Sequence, residues 1–225
     1  LDFFSGSATT ADSVLRSCAE LKKKLNYILV QLPENLDEGL ESADTNSKVI
    51  YQNAIDILDG LQNPHYLTEL GKERIRRAGA KIKEESGADI DYGFRVYRLD
   101  SSNMADVYHT PQDYDQDKLE LFADNVKEDR TADDLLAQIM LDWGLPLSLP
   151  ITEATIAGKR VFHVAGNSLL ACFDTEIDED FAKEIAKEEP LRIVFKDAGF
   201  ASDTAKSNVK QLLKQLSPET EMKVI

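Results

Sequence analysis

Apolar positions in this chain recur with two different periods, and the alternation between them lays out the expected elements. Phe3 and Phe4 run into Gly6 and then into small residues up to Thr10, which predicts a short strand turning sharply into a helix. Residues 10–25 carry Val14, Leu15, Cys18, Leu21 and Leu25 at helical spacing, with Lys22, Lys23 and Lys24 in the last turn, where cations suit the helix dipole. Asn26 breaks that pattern. Residues 27–32 are continuously apolar except for Gln31, as in a buried parallel strand, so the opening of the chain predicts a βαβ unit. Residues 35–47 lack periodicity; with five carboxylates from Glu34 to Asp44, they read as a solvated acidic loop. Two amphipathic helices follow. The first, 48–61, has Val49, Ile50, Ala54, Ile57, Leu58 and Leu61 inward; the second, 67–86, has Leu67, Leu70, Ile75, Ala78 and Ile82 inward, and Asn63-Pro64 separates them. Residues 92–99 alternate β-formers with Arg and predict a strand.

Periodicity lapses at residues 109–116, which places a subdomain boundary there and divides the chain into 1–110 and 111–225. Beyond it, Thr131 and Asp134 have the spacing of a capping box. Leu135, Leu136, Ile139, Met140 and Trp143 form the buried stripe of the helix it opens, and Gly144 stops that helix. Trp143 reads as core or interface filler. Residues 155–164 and 168–173 predict two strands around Ala165-Gly166-Asn167. A helix at 178–187, a strand at 191–195, a helix at 203–216 and a closing strand at 222–225 complete a small α/β or α+β unit, in which no nucleophile–base pair is seen.

Composition adds bounds. At 225 residues and 42% apolar, the chain can bury a core. It has no run of membrane-spanning length and no signal-peptide pattern, which points to a cytoplasmic protein without membrane contact. Cys18 and Cys172 read as reduced core residues, and three scattered histidines (His65, His109, His163) assemble no zinc site. The net charge of −15 disfavours a duplex at long range, so any DNA-gripping surface should lie outside this chain. One basic cluster stands out on the predicted helix 67–86: Lys72, Arg74, Arg76 and Arg77, followed by Lys81 and Lys83. It is either a contact for phosphate or an acidic partner, to which Arg is suited, or a solvated face. In the second case it pairs with Glu69, Glu73 and Glu84, each pair being worth about 0.3–0.5 kcal/mol.

The candidate chemistry sits in the first dozen residues, Leu1 to Asp12. A strand that turns through Gly6, Ser7 and Ala8 lets a ligand approach the backbone, and the loop amides and helix N-terminus then face a carboxylate or phosphate. Asp2, at the carboxyl end of the strand, is placed to accept from a cation or hydroxyl of the same ligand. The plain alternative is a tight turn with Thr10 as a cap. A phosphate-loop reading fails because no Gly-Lys-Ser/Thr follows Gly6, and a nicotinamide site wants a third glycine after Thr10.

The stretch Asp-Phe-Phe-Ser-Gly-Ser-Ala-Thr-Thr-Ala resembles the S-adenosylmethionine motif of amino-group DNA methyltransferases, and more narrowly that of the methyltransferase subunit of type III restriction-modification systems. Further matches are Val30–Glu34, Gly71–Gly79, Gly93–Asn103, Lys127–Thr131, Ile156–Lys159 and Ala171–Asp174, so the resemblance runs along nearly the whole chain. It implies a partial Rossmann-like methyltransferase fold over 1–110, then a small assembly or docking domain over 111–225. It further implies S-adenosylmethionine as cofactor, held by Asp2, Phe3, Gly6, Ser7, Thr9 and Gln31 or Glu34. The last two are alternative acceptors for the ribose hydroxyls. The reaction implied is methylation of adenine N6 in DNA, and the partners implied are DNA, a restriction subunit and a second copy. That family carries its Asp-Pro-Pro-Tyr-type catalytic motif upstream of the cofactor motif. No Pro-Pro pair occurs here, so no catalytic residue is expected within 1–225 and the chain is expected to be a C-terminal portion. Without the catalytic half, a subunit-interaction module is the alternative function. Ala8 replaces the family's second glycine; its methyl group either narrows the pocket or demands a backbone angle that Ala tolerates poorly.

Overall fold

The computed structural model describes residues 1–105 and 126–225, and the chain divides into two compact units, Leu1–Arg98 and Leu99–Ile225. The expected boundary at 109–116, the division at 110/111 and His109 lie outside the described residues.

The first unit is built on four helices, α1 (Thr9–Leu21), α2 (Leu36–Ser42), α3 (Thr45–Gly60) and α4 (Leu67–Ser86). α4 has a separate partner for each of its halves. Leu67 and Leu70 pack with Leu36, Ala54, Ile55 and Leu58 of α2 and α3. Ile75, Ala78 and Ile82 pack with Ala8, Ala11 and Leu15 around α1. The βαβ start is present in reduced form: Asp2 and Leu29 make a parallel bridge, with the Asp2 N–H donating to Ile28 O (2.9 Å) and the Val30 N–H to Asp2 O (2.8 Å).

Four elements of this unit differ from the pattern-based expectation. α1 ends at Leu21, where Lys22 turns left-handed (φ 52°), so the three lysines lie beyond the helix, and Leu21 and Leu25 are exposed. Much of the acidic loop is α2, because the Asn35 side chain caps the Asp37 N–H and puts Asp37 and Glu38 in the first turn, where carboxylates favour the dipole. On α3 the buried face is Ala54, Ile55 and Leu58, while Val49, Ile50, Ile57 and Leu61 face solvent. Among the described residues, 92–99 pair with no strand: Tyr92 and Phe94 pack against the α4 cluster, and Val96, Tyr97 and Leu99 are exposed.

The second unit is a mixed five-stranded sheet, β1 (Ile151–Ile156), β2 (Lys159–Val164), β3 (Leu169–Cys172), β4 (Arg192–Phe195) and β5 (Glu221–Val224), in spatial order β1-β2-β3-β4-β5. The first three strands are antiparallel and the last three parallel. α6 (Glu179–Ala186) and α7 (Asp203–Leu216) are the crossovers of the parallel half and cover one face. α5 (Ala132–Asp142) covers the other. The period of two is visible residue by residue: Val161, Leu170 and Ile193 enter the α6/α7 core, and Phe162, Ala171 and Val194 the α5 core. All of β3 is buried, hence its unbroken apolar run.

The capping box at Thr131 and Asp134 is formed. The stretch 155–164 is not one strand. Ala157 and Gly158 both have positive φ (46° and 80°) and make a tight hairpin between β1 and β2, the turn geometry that matches strand twist. Ala165 and Gly166 (49° and 68°) repeat this at the next turn, ahead of β3. The described residues therefore form an α/β protein.

Candidate functional site

The sequence-predicted ligand loop folds as a strand–turn–helix in which Asp2 and Thr10 have identifiable tasks. Asp2 Oδ2 accepts from the Thr10 hydroxyl at 2.6 Å and Asp2 Oδ1 from the Phe4 N–H at 3.2 Å. The Thr10 bond first, and the Phe4 bond second, hold the Asp2 carboxyl below its usual range. Thr10 thus ties the loop's end to its beginning instead of capping the helix.

Gly6 adopts φ +52° with open space where a Cβ would stand. Its N–H donates to Gln31 Oε1 at 2.8 Å. The Ala8 N–H donates to Ser5 O at 2.7 Å, and Ala11 and Asp12 donate to Ala8 O. Among the described residues no protein group takes the N–H of Ser7, Thr9 or Thr10, so the start of α1 presents unpaired donors beside an open glycine.

Ala8 resolves both of its alternatives. It is left-handed (φ 62°), an angle that costs a non-glycine residue about 1–2 kcal/mol, and its methyl group is only 3% exposed. The methyl points into the α1/α4 core, not toward the open side of the loop. A Cβ built on Gly71 of α4 would lie 3.5 Å from it and 3.5 Å from Gly6 O. Gly79, two turns on, does the same for Tyr92 at 3.7 Å. The glycines of the stretch Gly71–Gly79 are therefore where the loop and the 92–94 segment rest on α4.

The basic residues of that stretch behave otherwise. Lys72 pairs with Glu69 (2.5 Å), Arg77 and Arg76 with Glu73 (2.7 and 3.7 Å), and Arg76 also lies 5.9 Å from the centre of the Phe94 ring. Arg74 is exposed with no ion pair among the described residues. Most of the cluster is a paired, solvated helix face.

Phe3 and Phe4 are both exposed, 60% and 87%. Glu34 is exposed, and its backbone is held on both sides: its N–H donates to Leu32 O, and its carbonyl accepts from Leu67 at the start of α4. Gln31 Nε2 donates to Glu34 Oε1 at 3.1 Å and to Leu32 O at 3.3 Å. Gly6, Gln31 and Glu34 thus form one side-chain network, and Asp2 a second one with Phe4 and Thr10. Thr10 and Gly71 are the members that sequence reasoning missed. Thr10 reads from the sequence only as an alternative cap, and no local pattern announces that a helix glycine will face a loop.

Cys18 and Cys172 are buried free thiols, and burial pushes the Cys172 thiol up to about 11. Among the described residues no group of three or more His, Cys, Asp or Glu side chains could hold a metal, and no helix is long and apolar enough to cross a membrane.

Fold and loop together define an α/β protein with a glycine turn at the head of a helix. No protein-family model matches the chain. Two known proteins do. The chain is 27% identical to the Mod subunit of the type III restriction-modification enzyme EcoP15I from Escherichia coli, over 90% of this chain and 28% of that subunit. It is 35% identical to the Mod subunit of the StyLTI enzyme from Salmonella typhimurium, over 44% of this chain and 13% of that subunit. The chain is Mod-like in sequence and spans a minor part of the length of these relatives.

Proposed function

We propose that this chain is the cofactor-side portion of a DNA adenine-N6 methyltransferase that works within a type III restriction-modification system. Its first unit contributes half of an S-adenosylmethionine site. The unpaired N–H groups of Ser7, Thr9 and Thr10 receive the methionine carboxylate, where the helix dipole favours negative charge. Gly6 leaves room for that end of the ligand, and Asp2, already held ionised, faces its ammonium group. Phe3 supplies apolar wall beside the adenosine, and the Gln31/Glu34 end of the network meets the ribose. The cofactor brings the methyl group as a sulfonium substituent. This chain's residues orient it, while the groups that hold the flipped adenine belong to the catalytic motif that residues 1–225 lack. DNA and a restriction subunit are the partners of that activity.

The observation that carries the reading is the open start of α1 beside Gly6, in a chain similar to Mod subunits over most of its length. The test is calorimetric titration with S-adenosylhomocysteine. Saturable micromolar binding that Asp2→Ala weakens supports the reading. A folded chain that shows no saturable uptake up to millimolar ligand overturns it.

One observation favours a second reading, a non-catalytic subunit-interaction module. Basic side chains on α4 are largely spent on Glu69 and Glu73, and the net charge is −15, so the described surface offers little to a duplex. On this reading the second unit docks a partner subunit or a second copy.

A further inference from the structure

Gln31 is one of the two residues that sequence reasoning offered to the ribose, and its hydrogen bonds favour a different role. A primary amide has one oxygen and two N–H donors. The oxygen of Gln31 accepts from the Gly6 N–H at 2.8 Å, which leaves one of its two lone pairs, and both N–H donors are engaged, to Leu32 O at 3.3 Å and to Glu34 Oε1 at 3.1 Å. The orientation of the amide is fixed by its neighbours, because a backbone N–H on one side requires oxygen there and a carboxylate on the other requires nitrogen. A vicinal diol donates two hydroxyl hydrogens and is best met by an acceptor with a free oxygen. Glu34 has one, Oε2, for which no protein partner is seen among the described residues, and its backbone is anchored to Leu32 and to the first residue of α4.

We infer that Gln31 is a positioning residue that couples the Gly6 turn to Glu34, and that Glu34 is the group which accepts the ligand's diol. This deepens the S-adenosylmethionine reading and rests on it. Physically, Gln31 holds two halves of one site in register. It pins the peptide that precedes the open amides of Ser7 and Thr9, and it holds Glu34 at the opposite end. A ligand that spans from carboxylate to ribose therefore meets both ends already set, which spares part of the ordering cost of binding.

Three variants test this in the full chain, with S-adenosylhomocysteine and its 2′,3′-dideoxy analogue as probes. Gln31→Leu keeps the size and removes every hydrogen bond. The Gly6 amide, followed by NMR without ligand, loses its exchange protection, and S-adenosylhomocysteine binds about tenfold more weakly or worse. Glu34→Gln still accepts from Gln31, so Gly6 stays protected, but the preference for the diol-bearing probe over the dideoxy one disappears. Gln31→Glu keeps an acceptor for Gly6 but sets two carboxylates face to face, so binding becomes pH-dependent and recovers toward the wild-type value as pH falls from 8 to about 5. A merely structural side chain gives no such recovery.

If Gln31→Leu leaves both Gly6 protection and affinity unchanged while the wild type binds, the positioning role is overturned and the cofactor reading stands. If Glu34→Gln keeps full discrimination between the probes, the diol is held elsewhere and the inference falls. If the wild type binds neither probe, the cofactor reading fails and takes this inference with it.

Discussion

Single residues in this chain show how one substitution redistributes energy without moving a fold. Ala8 holds a left-handed angle that glycine adopts freely, yet its methyl group is buried against Gly71. Relieving the angle gains about 1–2 kcal/mol. Losing the methyl costs about 0.8 kcal/mol, and the freer unfolded glycine about 0.4–1 kcal/mol more. The terms nearly cancel, so Ala8→Gly is expected to change unfolding free energy by less than about 1 kcal/mol in urea titrations; a loss above about 2 kcal/mol contradicts the packing described. Gly199 is the opposite case. A Cβ there would sit 2.7 Å from Asp174 O, a backbone atom that cannot swing aside, and Gly199→Ala is expected to destabilise by about 1–3 kcal/mol in the same assay. Cys172, wholly buried with its thiol at about 11, is expected to resist iodoacetamide at pH 8 until the protein is unfolded, as mass spectrometry of the alkylated peptide can read.

At the scale of elements, ends and junctions carry the specificity. His65 sits between two carboxylates, with Nδ1 3.0 Å from Asp37 of α2 and Nε2 2.9 Å from Asp59 of α3. The hydrogen bond to Asp59 first, and that to Asp37 second, raise its pKa above the ordinary 6.5. A raised folded value means that this contribution is complete below the unfolded pKa and is lost as pH rises through the folded one. The stability gap between wild type and His65→Gln should therefore be wider at pH 6 than at pH 9, and a gap that grows with pH would refute the clasp. The caps of α2 and α5 were partly legible beforehand. Thr131 and Asp134 announced themselves by spacing, whereas Asn35 was hidden in a run of acids that looked like loop. Strands were less legible, because a strand exists only when something pairs with it. Residues 92–99 have every β-former a strand needs and no ladder among the described residues, while Ala157-Gly158 cuts an apparently continuous strand into a hairpin.

Over the whole molecule, the two units differ in how completely they cover their apolar surface. The second buries both faces of the centre of its sheet, β3 and β4, under α5, α6 and α7. The first leaves Leu1, Phe3, Phe4, Ile28, Val30 and Leu32 exposed along its one parallel pairing. Residues 99–225 are expected to unfold cooperatively on their own and to bind little hydrophobic dye, whereas residues 1–98 should bind it strongly. Equal dye binding by both pieces would remove that distinction.

What the sequence determined by itself was everything that neighbours in the chain can settle. It set the period of α4, the capping box, the glycine turn at the head of α1 and the acceptor-rich Gln31–Glu34 stretch, because caps, turns and helical stripes are contacts within a few residues. Only the tertiary structure decided which apolar stripe is covered, which way the Ala8 methyl points and what Gln31 holds. Each of these depends on a residue twenty or more positions away, with Gly71 beneath the loop and Gly6 across from Gln31, and a local pattern carries no record of such a partner.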